Sequence, residues 1–156
     1  MSDPGAAGLV ANRPPRLRLL GLAGGVALVT NAGWELGQRP LYATDVSVLR
    51  CLSAAVVDTG YTVAAVAPAR VATTHHPRAF LPAVIALLVV AAVGIETWAL
   101  ATDRWLYAEG MPRALGLGLS PLVQLPLLGA VSAWAARRLD GHRSPRTVLL
   151  GRRQRR

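Results

Sequence analysis

Cysteine occurs once in this chain, at Cys51, which excludes a disulfide framework or a thiolate metal cluster built from this chain alone. A small buried hydrophobe is the role that position suggests. Histidine occurs three times and never within a long apolar run, so no imidazole is available inside such a run to activate Ser120 as a nucleophile. His75 and His76, in "ATTHHPRAF", have no third metal ligand nearby and read as part of a solvated loop. No metal site and no cofactor are expected. Lysine is absent; all 17 basic residues are arginine, a pattern that codon usage explains as well as chemistry and that carries no functional conclusion.

The chain is also short of water-soluble sequence. Of its 156 residues 53% are hydrophobic, yet the formal net charge is +9, so apolar and cationic residues must be segregated along the chain. Four apolar runs, about 17–38, 49–68, 80–102 and 117–136, each reach the roughly 20 residues a membrane-crossing helix needs. The connections and tails are short and rich in Arg, Pro and Gly, too small to bury a separate core. The expected fold is all-α: a polytopic membrane protein of four transmembrane helices over residues 17–136, with an N-terminal tail of residues 1–16 and a basic tail of residues 137–156.

Arginine sets the orientation. With both termini cytoplasmic, thirteen of the seventeen arginines flank the inner side and only Arg39, Arg50, Arg104 and Arg113 the outer, the bias expected of short loops in a bacterial cytoplasmic (inner) membrane. Trp105 and Tyr107, in "DRWLYAEGMP", fit an interfacial aromatic belt on the outer surface. A cleaved signal peptide is the alternative reading of the first run; its length favours an uncleaved anchor. The tail "SPRTVLLGRRQRR" has neither a folded domain nor interleaved aromatics around it, so it is expected to lie against anionic membrane lipid and not to bind nucleic acid. The segment "LGLGLSP" imitates a phosphate-binding loop only superficially, because a spanning helix and no preceding strand surrounds it; close helix entry accounts for its glycines.

Within the spans, three acids stand out. A charged residue near the bilayer centre costs roughly 2.5 to 3.5 kcal/mol on insertion scales, so such residues face a bundle interior or a ligand. Counting about 1.5 Å per residue from the outer end of each run places Glu35 about 5 Å deep, Glu96 about 9 Å, Gln124 about 10 Å and Asp58 about 14 Å. All four helices thus bring a polar group to the outer half, and a shared pocket is the simplest reading. Glu35 has Arg39 four residues on, in the order that favours an ion pair. Asp58 has only the hydroxyls of Tyr61 and Thr62 at helical spacing, and Glu96 has none, so both need partners from other helices. On the first run Asn31, Trp34, Glu35 and Gln38 form one stripe; on the fourth, Ser120 and Gln124 share a face.

The segments "WELGQRPLY", the Asp58 span, "ETWAL", "RWLYAEGMP" and "GLSPLVQ", in that order, make the chain resemble a family of small bacterial four-span membrane proteins over most of residues 30 to 138. The matching positions are Trp34, Glu35, Pro40, Leu41, Tyr42, Asp58, Glu96, Trp98, Trp105, Tyr107, Met111, Pro112, Ser120, Pro121 and Gln124. One departure is Thr97, which separates Glu96 from Trp98 where the family pattern has the pair adjacent. The resemblance implies an architecture and a choice of site residues, with no activity to carry over. A looser similarity is to small membrane-embedded isoprenoid cyclases and sterol isomerases, which use carboxylates and aromatics inside helix bundles; this is analogy alone.

The expectation for function is a pocket in the outer half of the bilayer that binds a lipid-like or isoprenoid molecule and performs acid/base chemistry, cyclisation or isomerisation, on it. A carboxyl group in a desolvated pocket keeps its proton and can act as an acid. Asp58 is the expected acid and Glu96 or Glu35 the base. Gln38, Gln124 and Ser120 orient the ligand, while Trp34, Tyr42, Trp105 and Tyr107 shield it or stabilise a cation with their ring faces. The alternative is a non-enzymatic small carrier, proton-relay subunit or membrane assembly partner whose acids form a relay or a structural network. Partners on either reading are membrane lipids, and a homo-oligomer is compatible with so small a bundle.

Overall fold

The computed structural model describes residues 17–141; the N-terminal tail and the tail arginines from Arg143 onward lie outside the described residues. Four helices carry the fold: α1 Leu17–Gln38, α2 Val48–Ala72, α3 Phe80–Ala101 and α4 Leu119–Gly141. Each holds a stretch long and apolar enough to cross a membrane, and only 28–33% of each such stretch is buried inside the bundle. The outward faces carry Val29, Val57, Val90 and Trp134, each at least half exposed. A water-soluble bundle would put charge there; an apolar exterior on all four helices is that of an integral membrane protein.

The runs read from the sequence match α1 and α3 closely. α2 continues four residues past its predicted end, through Pro68 to Ala72, because a proline at this depth removes one backbone donor while the arginine beyond it, Arg70, reaches the interface. α4 starts two residues later than expected and runs five further, to Gly141. Its last turn is held by arginines: Arg137 lies 5.0 Å from the Phe80 ring centre and donates to the Pro77 carbonyl, while Arg18 of α1 donates to the Leu139 carbonyl. Both described helix termini and the α2–α3 connection share this end of the bundle, called the terminal end below; the α1–α2 and α3–α4 connections form the loop end.

Packing follows from residue spacing. The buried positions of α1 are Leu19, Ala23, Ala27, Asn31, Glu35 and Gln38, and those of α3 are Phe80, Val84, Leu88, Ala92, Glu96 and Ala99. Both stripes step by four residues, then three, along one helix face; both are apolar toward the terminal end and polar toward the loop end. α1 lies between α2 and α4, and α4 between α1 and α3, whereas α2 and α3 touch much less extensively. That thin seam is the open flank of the bundle.

The α3–α4 connection contains one short non-helical element, which takes in residues 117 and 118, where the fourth run was expected to begin. β1 Arg113–Ala114 and β2 Leu117–Gly118 form a two-stranded hairpin, whose turn puts Leu115 and Gly116 in the left-handed region at φ 53° and 83°. Gly116 is thus a turn residue and not a device for close helix entry. Across the loop end Ala43 N–H donates to the Leu106 carbonyl and Ala108 N–H to the Leu41 carbonyl, at 2.9 and 3.0 Å, clipping the two connections together.

Candidate functional site

Gln124 is the hub of the loop end. It sits at the second turn of α4, buried, where its amide nitrogen lies 2.8 Å from Glu35 Oε1 on α1, 3.0 Å from Asp58 Oδ2 on α2 and 3.2 Å from Asn31 Oδ1 on α1. One amide group has two hydrogens for these three acceptors. Gln38 makes a second node: its amide nitrogen donates to Glu35 Oε1 at 2.8 Å and stands 3.2 Å from the Gln124 carbonyl oxygen and 3.3 Å from the Tyr42 hydroxyl. The Gln38 carbonyl accepts from Ser120 Oγ at 2.8 Å, and Ser120 in turn accepts from the Trp34 indole at 3.2 Å. Seven of the ten residues singled out from sequence therefore join one network through three helices and one connection.

Glu96 belongs to a second, separate arrangement. Its Oε2 accepts from the Tyr107 hydroxyl at 2.8 Å and its Oε1 from the Gly118 backbone N–H at 2.7 Å. The carboxylate thus ties α3 to the α3–α4 connection and to the end of the hairpin. Gly118 is required by this contact: a Cβ there would stand 2.8 Å from the Tyr107 ring and 3.0 Å from Glu96 Oε1. The Tyr107 phenol is held above its usual pKa, by burial first and then by the hydrogen bond and charge of Glu96, and burial does the same to Tyr42. Their rings, 5.6 Å apart, close the site from the loop side.

Both arrangements border one cavity of about 310 Å³. Glu35, Gln38 and Gln124 form its floor, Cys51, Ala54 and Asp58 one wall, Ala92, Ile95 and Glu96 the other, and Arg50, Trp98, Arg104 and Trp105 its rim. The walls are α2 and α3, so the cavity occupies the loop-end half of the open flank. Trp34, Ser120 and Tyr107, expected to touch a ligand, do not line it; they stand behind Gln38 and Glu96 and fix their positions. Trp105 does line it, with a buried indole nitrogen that completes no well-formed hydrogen bond among the described residues.

One expectation about a local partner is overturned. Arg39 does not pair with Glu35; its guanidinium bonds Asp45 at 3.1 Å. The reason is that α1 stops at Gln38 and a 3-10 turn, Arg39–Leu41, follows with Pro40 in it, so residue 39 leaves the i+4 face that the pairing needs. Asp58 takes its donor from another helix, Gln124 of α4, while Thr62 at helical spacing donates to the Asp58 backbone carbonyl and Tyr61 is exposed. The different depths counted along the helices do not keep these groups apart, since the Gln124 amide nitrogen lies 2.8 Å from Glu35 and 3.0 Å from Asp58. Sequence reasoning passed over Gly118, whose role is a backbone donor, and Arg50 and Arg104, which entered only as charges to be counted. No group of three His, Cys, Asp or Glu residues suited to a metal occurs among the described residues.

Compared with known proteins, the chain matches no family model, no curated protein and no solved structure.

Proposed function

We propose that this membrane protein binds a lipid-like or isoprenoid molecule in the loop-end cavity and carries out acid/base chemistry on it, a double-bond isomerisation or cyclisation. The observation that carries the proposal is the lining of the cavity: α2 and α3, the neighbouring helices that touch least, both border it, with Asp58 from α2 and Glu35 from α1 facing the same space. A substrate dissolved in the bilayer reaches such a site sideways, without crossing water. With both termini cytoplasmic, as the arginine distribution favours, the cavity lies in the outer leaflet of a bacterial inner membrane.

Asp58 is the acid. It makes one hydrogen bond, to Gln124, and borders the cavity. Its proton passes to one carbon of a double bond, forming a C–H bond and leaving a cation on the neighbouring carbon. Glu35 removes a proton from an adjacent carbon, the C–H electrons form the new double bond, and the chemistry is redox-neutral. After product departure the proton returns from Glu35 to Asp58, whose nearest oxygens both lie within hydrogen-bonding reach of the same Gln124 nitrogen. Tyr42 and Trp105, which line the cavity, are the aromatic groups proposed to shield the cation. Glu96 has a donor on each of its oxygens and serves as a fixed brace, whereas both donors to Glu35 fall on Oε1 and leave Oε2 to take the proton.

The second reading, a relay or structural subunit, draws on a specific observation: each acid has found a donor, and Gln124 alone links α1, α2 and α4. Native mass spectrometry of the gently purified protein, followed by lipid extraction, separates the two. The proposal expects a lipophilic molecule with wild type, the same molecule in an unaltered isomeric form with Asp58→Asn, and none with a Gln124→Ala, Asp58→Ala double variant. If nothing lipophilic co-purifies with wild type, or the double variant retains it, the pocket is not a ligand site and the network is structural.

A further inference from the structure

We propose that the cavity is selective for an amphiphile bearing a phosphate ester, whose anionic head is held at the rim by Arg50 and Arg104 while its chain enters toward Asp58. The inference rests on the pocket reading above and names the substrate class.

Four arginine side chains near helix ends show what is unusual about these two. Arg39 and Arg18 stand by carboxylates, Asp45 and Asp140. Arg50 and Arg104 have no carboxylate within ion-pair distance among the described residues, although both line the cavity. They are nonetheless fixed. Arg50, in the first turn of α2, donates to the Arg104 backbone carbonyl at 2.9 Å, and the Arg104 guanidinium lies 5.1 Å from the centre of the Trp98 ring. Two guanidiniums are thus brought to one rim, each immobilised by a neutral group that leaves its charge uncompensated and several N–H donors unused. Planar, forked donors of this kind match phosphate oxygens.

The interior decides which way a ligand lies. Glu35 and Glu96 line the same space, so an anionic head is repelled from the floor and kept at the rim, and the neutral part of the molecule goes inward toward the protonated Asp58. Asp58 is eight residues beyond Arg50 on the same helix, about 12 Å deeper. The volume sets the load: about 310 Å³ is roughly ten water-sized units at about 30 Å³ each. That holds the first part of a chain and not a whole long-chain lipid, so the remainder leaves through the α2–α3 seam into the bilayer. Asp58 therefore meets a carbon within the first dozen ångströms or so of the phosphate.

The test uses the full-length protein in a neutral detergent, with binding read by native mass spectrometry and by the rise in melting temperature. Dodecyl phosphate is expected to bind at least tenfold more tightly than dodecanol, which has the same chain without the charge. An Arg50→Gln, Arg104→Gln double variant is expected to reduce that preference to twofold or less while still binding dodecanol; the Arg50→Lys, Arg104→Lys variant, which keeps the charges, recovers part of it. Arg113→Gln, on the exposed hairpin, leaves the preference intact. Equal binding of the two amphiphiles to wild type overturns the phosphate assignment and leaves the pocket standing, whereas failure of both to bind overturns the pocket itself. Displacement of dodecyl phosphate by didodecanoyl phosphatidylglycerol supports the assignment with a bilayer phospholipid as the source; resistance to it supports the assignment with a single-chain phosphate. Inorganic phosphate displacing it at the same concentration overturns the assignment, since the chain would then contribute nothing.

Discussion

The two ends of this bundle are built from the same helices by opposite means. At the terminal end Leu19, Phe80, Val84 and Leu88 interdigitate with alanines such as Ala23, Ala65 and Ala133, and the acid there, Asp140, stands beside Arg18 outside this cluster. At the loop end the same helix faces carry Asn31, Glu35, Gln38, Asp58, Glu96 and Gln124. In hydrocarbon the first end gains only from close packing, because lipid is as apolar as leucine. The second gains from hydrogen bonds, yet it also tolerates a cavity. The polar end departs from the alanine and leucine packing of the other, and it is where the proposed site lies.

The comparison can be broken most forcefully at Leu88. This side chain is 1% exposed and packs against α4, where Gly129 leaves room for it. Leu88→Ala is expected to lower stability by about 3 kcal/mol through the cavity it opens, seen as a lower melting temperature in detergent, while amphiphile binding persists at temperatures where the variant is folded. Gln124→Leu comes next. Interhelical hydrogen bonds in membranes average about 0.6 kcal/mol each, so losing the two that Gln124 can donate and the one it accepts costs about 2 kcal/mol. Unlike Leu88→Ala, it is expected to abolish binding even where the protein is folded. If both variants lose binding in proportion to stability, the two ends are not separable.

Alkaline pH sharpens the contrast with a smaller effect. Tyr42 and Tyr107 ionise only above their usual range in the folded protein, through burial and the neighbouring Glu96 or Glu35. A raised folded value means stability is fully present below the unfolded value of about 10 and declines as pH rises beyond it. The melting temperature should therefore fall between pH 9.5 and 11.5, less steeply in Tyr107→Phe; an identical slope in that variant would remove Tyr107 from the account. The smallest effect is expected at Arg39→Gln. Its partner Asp45 is 94% exposed, so the change should stay under about 1 kcal/mol and leave binding unaltered, despite lying at the loop end.

Much of this was legible from residue order. The stripe Asn31, Trp34, Glu35 and Gln38 was visible at 3.6-residue spacing, and the need of Asp58 for a partner on another helix followed from the absence of any cation at helical spacing; Glu96 instead takes both donors, Tyr107 and Gly118, from the α3–α4 connection. The Glu35–Arg39 pair was misread because the i+4 rule assumes a continuous helix, and α1 ends one residue too early. The hairpin was missed because two-residue strands leave no alternation to read.

By itself the sequence determined the four apolar spans, the segregation of arginine, and the polarity of one end, since each is a property of residues near one another along the chain and of their transfer from water to hydrocarbon. Only the tertiary structure decided that one amide nitrogen on α4 serves acids from two other helices, that a backbone N–H from Gly118 completes Glu96, and that Arg50 and Arg104 meet at the rim of the same cavity. Those are distances between helices, fixed by how small residues let them approach and where each connection ends, and no spacing within a helix encodes them.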